Sequence, residues 1–309
     1  MTRRWGGKVR FARLFVCAVC LAGLVTSAGC TTRSASSVLA GGEPSQFAPV
    51  PGLADGLVFV HDSKVWIVRD GAAVEVAPGG DPKREVSRVI RGDGVAITTQ
   101  NSGSAQVSVA VPGGSGLSKT IHSTDSASLL GQVRYDKQAG RLWRTEFGDP
   151  AARLVVTGAP TNSAAETLPL TSFSGEFDLD PGGTTVVYTA AEQNPSQLLL
   201  YSGTTAAPLV AGFATLFTPS FSHDGGSVCF SGSRSPSDPV SLWVVNVRTK
   251  AVRGLSETSG LIPTWPVFSP DGTRIAFRSG KDGALWVVTL KDGVLSKLPL
   301  TASEAALAW

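Results

Sequence analysis

Histidine is the side chain best suited to proton transfer and metal binding near neutral pH, and the sequence contains three: His61, His122 and His223. They lie far apart in the chain, and no H-x-x-x-H pair could hold a metal between them. Neither a G-x-S-x-G nucleophile motif nor a D-x-[DN]-x-[DN]-G calcium loop occurs. The sequence therefore predicts no catalytic residue, no metal site and no cofactor.

A glycine-rich run at 113–116, followed by Lys119 and Thr120, is the segment most similar to a phosphate-binding loop. Such a loop needs glycine directly before the lysine, so that backbone amides wrap around the phosphates, and here Ser118 takes that place. It also needs a following helix to direct its N-terminus at the anion, and the next residues predict none. We interpret this run as a hairpin loop.

Charge argues against nucleic acid as a partner. The formal net charge is +3, but five of the 27 basic residues lie in residues 1–29, which contain no acid. The remaining 22 basic residues face 24 acidic ones. Binding to nucleic acid relies on an excess of Lys and Arg, so we expect no nucleic-acid partner.

The N-terminus has the pattern of an export signal. Basic residues occupy positions 3–13, and Leu14–Ala28 is apolar or small throughout. Ser27-Ala28-Gly29-Cys30 follows and resembles a bacterial lipobox, although Ser27 stands where leucine is usual. We predict a signal peptide at 1–29, lipidation of Cys30 and a flexible tether at 30–47, which would place the protein at the outer face of the cytoplasmic membrane. An uncleaved anchor or plain secretion is the alternative.

A repeated turn and strand dominate the rest of the chain. Ser222-His223-Asp224-Gly225 and Ser269-Pro270-Asp271-Gly272 each precede an apolar strand, with His223 in the place of Pro270 as a solvated turn residue. Weaker copies put turn glycines at 56, 94, 140 and 183, a spacing of about 40–45 residues that is typical of propeller blades. We predict an all-β, six-bladed β-propeller over 48–309.

Velcro closure by the C-terminal strand is also predicted, because Ala306-Leu307-Ala308-Trp309 looks like an inner strand and the first copy lacks one. We expect residues 303–309 to pair beside Leu57–His61, which would remove two open sheet edges. Trp66, Trp243 and Trp286 recur at one blade position and are interpreted as packing between blades. Cys229 is interpreted as a small core hydrophobe.

The run Phe268–Phe277, Phe-Ser-Pro-Asp-Gly-Thr-Arg-Ile-Ala-Phe, resembles the TolB-type propeller repeat, and the resemblance extends over roughly residues 50–309. Combined with Cys30, it is also similar to the propeller of the actinobacterial LpqB lipoprotein family. Both groups have further N-terminal domains that we do not expect here. The resemblance therefore implies neither a peptidoglycan-associated lipoprotein nor a sensor kinase as partner.

These patterns favour a non-catalytic envelope lipoprotein that is held at the membrane by its lipid and whose propeller binds an unknown envelope protein or peptide. Arg134 and Glu176 lie in or beside predicted inner strands and are the candidate partner-binding residues. The alternative is a hydrolase or lyase that acts on an envelope glycan or peptide at the propeller channel. Carboxylates scattered around that channel could build such a site, and sequence spacing would not reveal them.

Overall fold

The structure is a computed structural model that describes residues 52–77, 83–101, 104–111, 119–124, 130–148, 151–158, 165–190, 196–303 and 306–309. The predicted signal peptide, Cys30, the tether and the glycine-rich run lie outside the described residues. Within the described ranges the chain forms 23 strands and a short 3-10 helix at Ser256–Thr258. No helix in this part of the chain is long and apolar enough to cross a membrane.

The strands pair with their chain neighbours into antiparallel sheets. A three-stranded sheet contains β1 to β3: Val58–His61, Lys64–Arg69 and Ala72–Ala77. An eight-stranded sheet contains β4 to β11: Lys83–Ile90, Val95–Gln100, Ala105–Ala110, Lys119–Thr124, Leu130–Asp136, Arg141–Glu146, Arg153–Gly158 and Glu166–Thr167.

Three four-stranded sheets follow in chain order. The first contains β12 to β15: Phe173–Leu179, Val186–Ala190, Ser196–Tyr201 and Ala206–Phe213. The second contains β16 to β19: Thr215–Phe221, Ser227–Ser233, Ser241–Asn246 and Val252–Leu255. The third contains β20 to β23: Pro263–Phe268, Arg274–Ser279, Ala284–Thr289 and Leu295–Thr301. The all-β prediction is confirmed.

The eight-stranded sheet differs from the separate repeats that the sequence predicts. It consists of two antiparallel groups, β4 to β7 and β8 to β11, joined by a short parallel pairing of β4 with β8. Val89 pairs with Tyr135 and Ile90 with Asp136, and Ile90 also accepts a hydrogen bond from the Lys137 N–H. The first strands of the two groups approach closely enough near their ends to share backbone hydrogen bonds.

Apolar side chains fill the space between consecutive groups of strands. Six such clusters occur in the described part of the chain, and each joins two neighbouring groups; the cluster between the third and fourth groups also includes Ile90 of β4. Five join groups that follow one another in the sequence, whereas the sixth joins Phe59 and Trp66 of the first group to Leu285 of the last. A group packed on both faces needs apolar residues at successive positions, which is why all of β13 is buried.

The last described residues contact the first strand. Val58 and Ala308 form an antiparallel bridge with reciprocal backbone hydrogen bonds of 2.7 and 3.1 Å. The Ser303 N–H donates to the Val60 carbonyl, and the Trp309 indole donates to the Asp55 carbonyl at 2.7 Å. Within 306–309 the pairing is an isolated bridge and not a continuous strand.

Two smaller predictions are confirmed by burial. Cys229, on β17, is fully buried and unpaired among apolar neighbours, and burial raises the pKa of its thiol well above the ordinary value. Trp66 is buried in the cluster between the first and last groups, and Trp243 and Trp286 pack against two other clusters.

Candidate functional site

The polar turns after β16 and β20 share one hydrogen-bonding arrangement. In the turn after β20, the Ser269 hydroxyl donates to Asp271 at 2.5 Å and accepts the Arg274 N–H at 3.0 Å. Asp271 also accepts the Thr273 N–H, and these hydrogen bonds lower the pKa of its carboxyl to about 2. The turn after β16 repeats the arrangement with Ser222 and Asp224. These turns hold the adjoining strands in the same orientation.

The first strands of consecutive groups lie next to one another: β4 contacts β8, β8 contacts β12, β12 contacts β16, and β16 contacts β20. These first strands surround a space that residues 307–309 also line. Near the ends of these strands this space forms a small, partly open cavity, which we call the first cavity. Its lining residues are Arg88, Arg134, Asp178, Ser220, Phe221, His223, Val267, Phe268, Leu307, Ala308 and Trp309.

One residue from each of β4, β8, β12, β16 and β20 faces this cavity at an equivalent position, five or six residues before the turn glycine. These residues are Arg88, Arg134, Asp178, Ser220 and Val267. Equivalent positions in adjacent strands lie at one level, so the charged residues Arg88, Arg134 and Asp178 meet, although they come from three separate groups.

Asp178 is the centre of an ionic cluster. Its carboxylate receives Arg134 Nε on Oδ1 at 2.6 Å and Arg88 Nη2 on Oδ2 at 3.2 Å, and Oδ2 also accepts the Phe221 N–H at 2.7 Å. The Arg88 guanidinium additionally donates to the Leu179 carbonyl at 3.0 Å, and Arg134 donates to the Val133 carbonyl. The Asp178 side chain is 1% exposed, and the two arginine side chains are 14% and 13% exposed.

Two opposing effects act on the pKa of Asp178. Burial is the largest and would raise the pKa, because a charged carboxylate loses its hydration. The charges of Arg88 and Arg134, with the hydrogen bonds from Arg134 and Phe221, outweigh burial and hold the pKa below its ordinary value. Asp178 is therefore ionised at neutral pH and paired with both arginines.

His223 lies at the turn end of the first cavity. Its Nε2 is 2.9 Å from the Trp309 carbonyl oxygen, and its exposed position in the β16–β17 turn agrees with the solvated turn residue that we predicted. Although the residue as a whole is exposed, its ring lines the first cavity and has lost part of its hydration, which lowers its pKa, and the positive charge of Arg88 lowers it further. Asp178 and Asp224 act in the opposite direction, but the pKa remains below the ordinary value. The imidazole is neutral at neutral pH.

A second small cavity lies nearer the beginnings of the first strands. It shares Arg134 and Leu307 with the first cavity, and its other lining residues include Glu85, Gln132 and Trp265. The amide oxygen of Gln132 accepts the Phe177 N–H at 2.7 Å and so connects β8 to β12.

Glu176 lies on β12 and is partly buried. Its Oε2 accepts the Thr218 N–H at 2.8 Å. Loss of hydration raises the pKa of Glu176 to about 7, although the hydrogen bonds from Thr218 and from the Thr189 hydroxyl oppose that rise. Of the two candidates from the sequence, Arg134 faces the cavities, whereas Glu176 bonds to β16 and lines neither of the two.

The two candidate residues therefore do not form one site, because Arg134 pairs with Asp178 and not with Glu176. Sequence reasoning missed Asp178 and Arg88. They lie five and six residues before their turn glycines, so no fixed spacing in the sequence pointed to them.

The remaining candidates have ordinary surroundings. His61 is close to Asp62, with Nε2 3.5 Å from its carboxylate, and Nδ1 is 3.4 Å from the Thr301 hydroxyl. His122 is buried on β7. In the described ranges no group of three or more His, Cys, Asp and Glu residues could hold a metal ion. Within those ranges, the Arg88–Asp178–Arg134 cluster is the buried group of charged side chains that lines the first cavity.

Comparison with solved structures identifies the fold as a β-propeller. TolB from Acinetobacter baumannii is similar with a TM-score of 0.65 and 17% identity, over 84% of this chain and 68% of that one. A putative TolB from Agrobacterium tumefaciens has a TM-score of 0.59 and 12% identity, over 78% and 86%. A chain of a nidogen/laminin complex has a TM-score of 0.61 and 12% identity, over 82% and 97%.

No protein-family model and no curated protein matches this sequence. The structural neighbours are TolB-type propellers at low sequence identity, so the likeness extends to the fold. The prediction of a TolB-like β-propeller is confirmed at this level.

Proposed function

We propose that this chain is an envelope lipoprotein whose six-bladed propeller binds a protein or peptide partner and catalyses no reaction. The Arg88–Asp178–Arg134 cluster supports the proposal best. It lies where strands of three groups converge, beside the first cavity. Its carboxylate is ionised and held by two guanidiniums, an arrangement that favours recognition over proton transfer.

Six blades with closure by the C-terminal strand are part of the same proposal. Six apolar clusters connect the groups of strands, including the cluster between the first and the last. The predicted turn glycines, at 56, 94, 140, 183, 225 and 272, all have positive φ, as the repeated turns require. The hydrogen bonds between Val58 and Ala308 support closure at the position that the sequence predicted.

Export and lipidation of Cys30 rest on the sequence alone. The basic and apolar pattern before Cys30 supports a lipid anchor at the outer face of the cytoplasmic membrane. A relationship to the actinobacterial LpqB lipoproteins is proposed on the same ground. The partner would then be an envelope protein or peptide, and the nidogen/laminin complex gives an example of a similar fold in a complex between proteins.

One observation favours the alternative of a hydrolase or lyase. The pKa of Glu176 is raised to about 7, which is the range that a general acid or base needs at neutral pH. Loss of hydration explains this shift, and both groups that bond Glu176, Thr218 and Thr189, are uncharged. Glu176 is therefore the residue to substitute when any turnover is tested.

The test is site-specific photo-crosslinking of the full-length protein in cells. A photoreactive residue at position 223, at the mouth of the first cavity, should form an adduct with an envelope protein or peptide. The matched control is position 248, which is exposed in the turn between β18 and β19 and should form none. Absence of adducts at 223, or turnover of an envelope glycan or peptide that Glu176→Gln abolishes, would contradict the proposal.

A further inference from the structure

The second cavity has the size of one water molecule. About 20 Å³ of it is open to the centre of a water molecule, and roughly 10–15 Å³ in this measure is enough to hold one. An organic group does not fit into this space. Water is therefore the ligand whose binding the lining residues have to explain.

Two hydroxyls line this cavity without a hydrogen-bond partner among the described residues. Ser87 lies on β4 and Thr98 on β5, and the two residues are only 5% and 6% exposed. Their backbones pair within the sheet, but neither hydroxyl bonds to a described residue. A buried hydroxyl that makes no hydrogen bond destabilises the folded state, because it has lost the water that it binds in the unfolded chain.

Two nitrogen-bearing side chains on β8 add donors to the same lining. The Gln132 amide oxygen accepts the Phe177 N–H, and the amide nitrogen keeps two N–H donors that bond to no described residue. Arg134 bonds Asp178 through Nε and the Val133 carbonyl through Nη1, and its Nη2 has no acceptor in the described ranges. A water molecule accepts from such donors and donates to hydroxyls. The lining therefore offers the roughly two to four polar partners that a buried water uses.

A third cavity, between the first two groups of strands, provides a contrast within the same molecule. Its volume in the same measure is about 10 Å³, and the side chains that line it are apolar, Val58, Ile67 and Val95 among them. Cavities with apolar walls stay dry, because a water inside them would lose its hydrogen bonds without replacement. The polar groups of the second cavity, and not its size alone, therefore favour bound water.

We infer that the second cavity binds one ordered water molecule. Its oxygen accepts hydrogen bonds from Gln132 and Arg134, and it donates to the hydroxyls on β4 and β5. The backbone pairing of β4 with β8 lies at Val89 and Ile90, near the ends of these strands, so the water connects the same two groups nearer their beginnings. Gln132 continues the connection to β12. The site is independent of the proposed function, because it forms whether or not a partner binds.

A high-resolution crystal structure of the full-length protein, extracted in detergent, tests the inference directly. A water oxygen should lie in the second cavity, ~2.7–3.2 Å from the Gln132 amide nitrogen and from the Ser87 or Thr98 hydroxyl. The third cavity should contain no water in the same crystal. A dry second cavity, or hydrogen bonds from both hydroxyls to other protein groups, would overturn the inference.

Variants test the same water in solution through nuclear Overhauser effects between water and the Gln132 side-chain amide. Thr98→Val combined with Ser87→Ala removes both hydroxyls and should reduce this effect roughly fivefold or more, whereas Thr98→Ser keeps a hydroxyl and should retain it. The exposed amide of Gln138 is the control and should give the same signal in every variant. If the double variant does not fold, Thr98→Val alone should reduce the effect by roughly half. Equal effects in Thr98→Ser and in the variants without the Thr98 hydroxyl would show that these hydroxyls hold no water.

Discussion

Replacing Glu176 by glutamine should make the protein more stable at alkaline pH and leave its stability in acid nearly unchanged. The pKa of Glu176 is raised from 4.5 to about 7 by loss of hydration. Between these values the unfolded chain releases the proton and the folded chain keeps it. The free energy of unfolding of the wild type therefore falls as pH rises from 4.5 to 7 and levels off above that. Glutamine does not titrate, so the variant avoids this loss.

The magnitude follows from the size of the shift. Each pKa unit corresponds to ~1.4 kcal/mol, so the variant should gain about 3 kcal/mol relative to the wild type between pH 4.5 and pH 8. This is an upper value, because the side chain is only partly buried. Glutamine can still accept the Thr218 N–H, and any cost of its extra amide group is the same at both pH values and cancels in the comparison.

Urea unfolding of the wild type and variant at pH 4.5 and pH 8 measures the effect. Glu166→Gln, which removes an exposed charge on β11, is the control for loss of charge alone. If Glu176→Gln changes stability equally at the two pH values, the carboxyl is not desolvated in the folded state and the reasoning is wrong.

Further substitutions test the cluster, the contact with the first strand, the buried thiol and the anchor. Asp178→Asn should lower the free energy of unfolding by about 3–5 kcal/mol in urea titrations, because it leaves two buried guanidiniums without their counter-charge; a loss below 1 kcal/mol would contradict the pairing. Trp309→Ala should cost about 3–5 kcal/mol by calorimetry, since it removes a buried ring and the bond to the Asp55 carbonyl, and an unchanged melting temperature would refute that role. The Cys229 thiol should react with a disulfide reagent only after denaturation, and prompt reaction in the native protein would contradict its burial. Cys30→Ala should release the protein from the membrane fraction, whereas an unmodified Cys30 in the intact mass of the wild type would rule out lipidation.

The turns could be predicted from the sequence because their chemistry is local. In Ser269-Pro270-Asp271-Gly272 the serine and aspartate bond to backbone within five residues, and the glycine supplies the positive φ. A pattern that repeats such a turn at blade spacing also predicts the strands between, and the structure confirms an all-β propeller fold. The parallel pairing of β4 with β8, which joins the second and third groups into one sheet, was not predicted, since it depends on how closely the two strands approach.

The charged cluster could not be found in the same way, because Arg88 and Asp178 meet across 90 residues of sequence. Alternation along the first strands also does not show which residues face the cavity, since bulges interrupt their pairing. Gly175 lies in one bulge with φ of +103°, and a Cβ there would stand 2.7 Å from the Phe147 ring. The bulge shifts the register of alternation along β12, so alternation did not point to Asp178.

The contact between Val58 and Ala308 has a consequence for how the chain folds. The cluster that covers one face of the first sheet takes Leu285, Leu300 and Leu307 from the end of the sequence. Synthesis runs from the N-terminus, so the strands of the first sheet are made long before those residues are available. Contacts between such distant residues slow folding, because a long loop must close before they form. We therefore expect the first sheet to be the last to gain protection from hydrogen exchange, although it is the first to be synthesised.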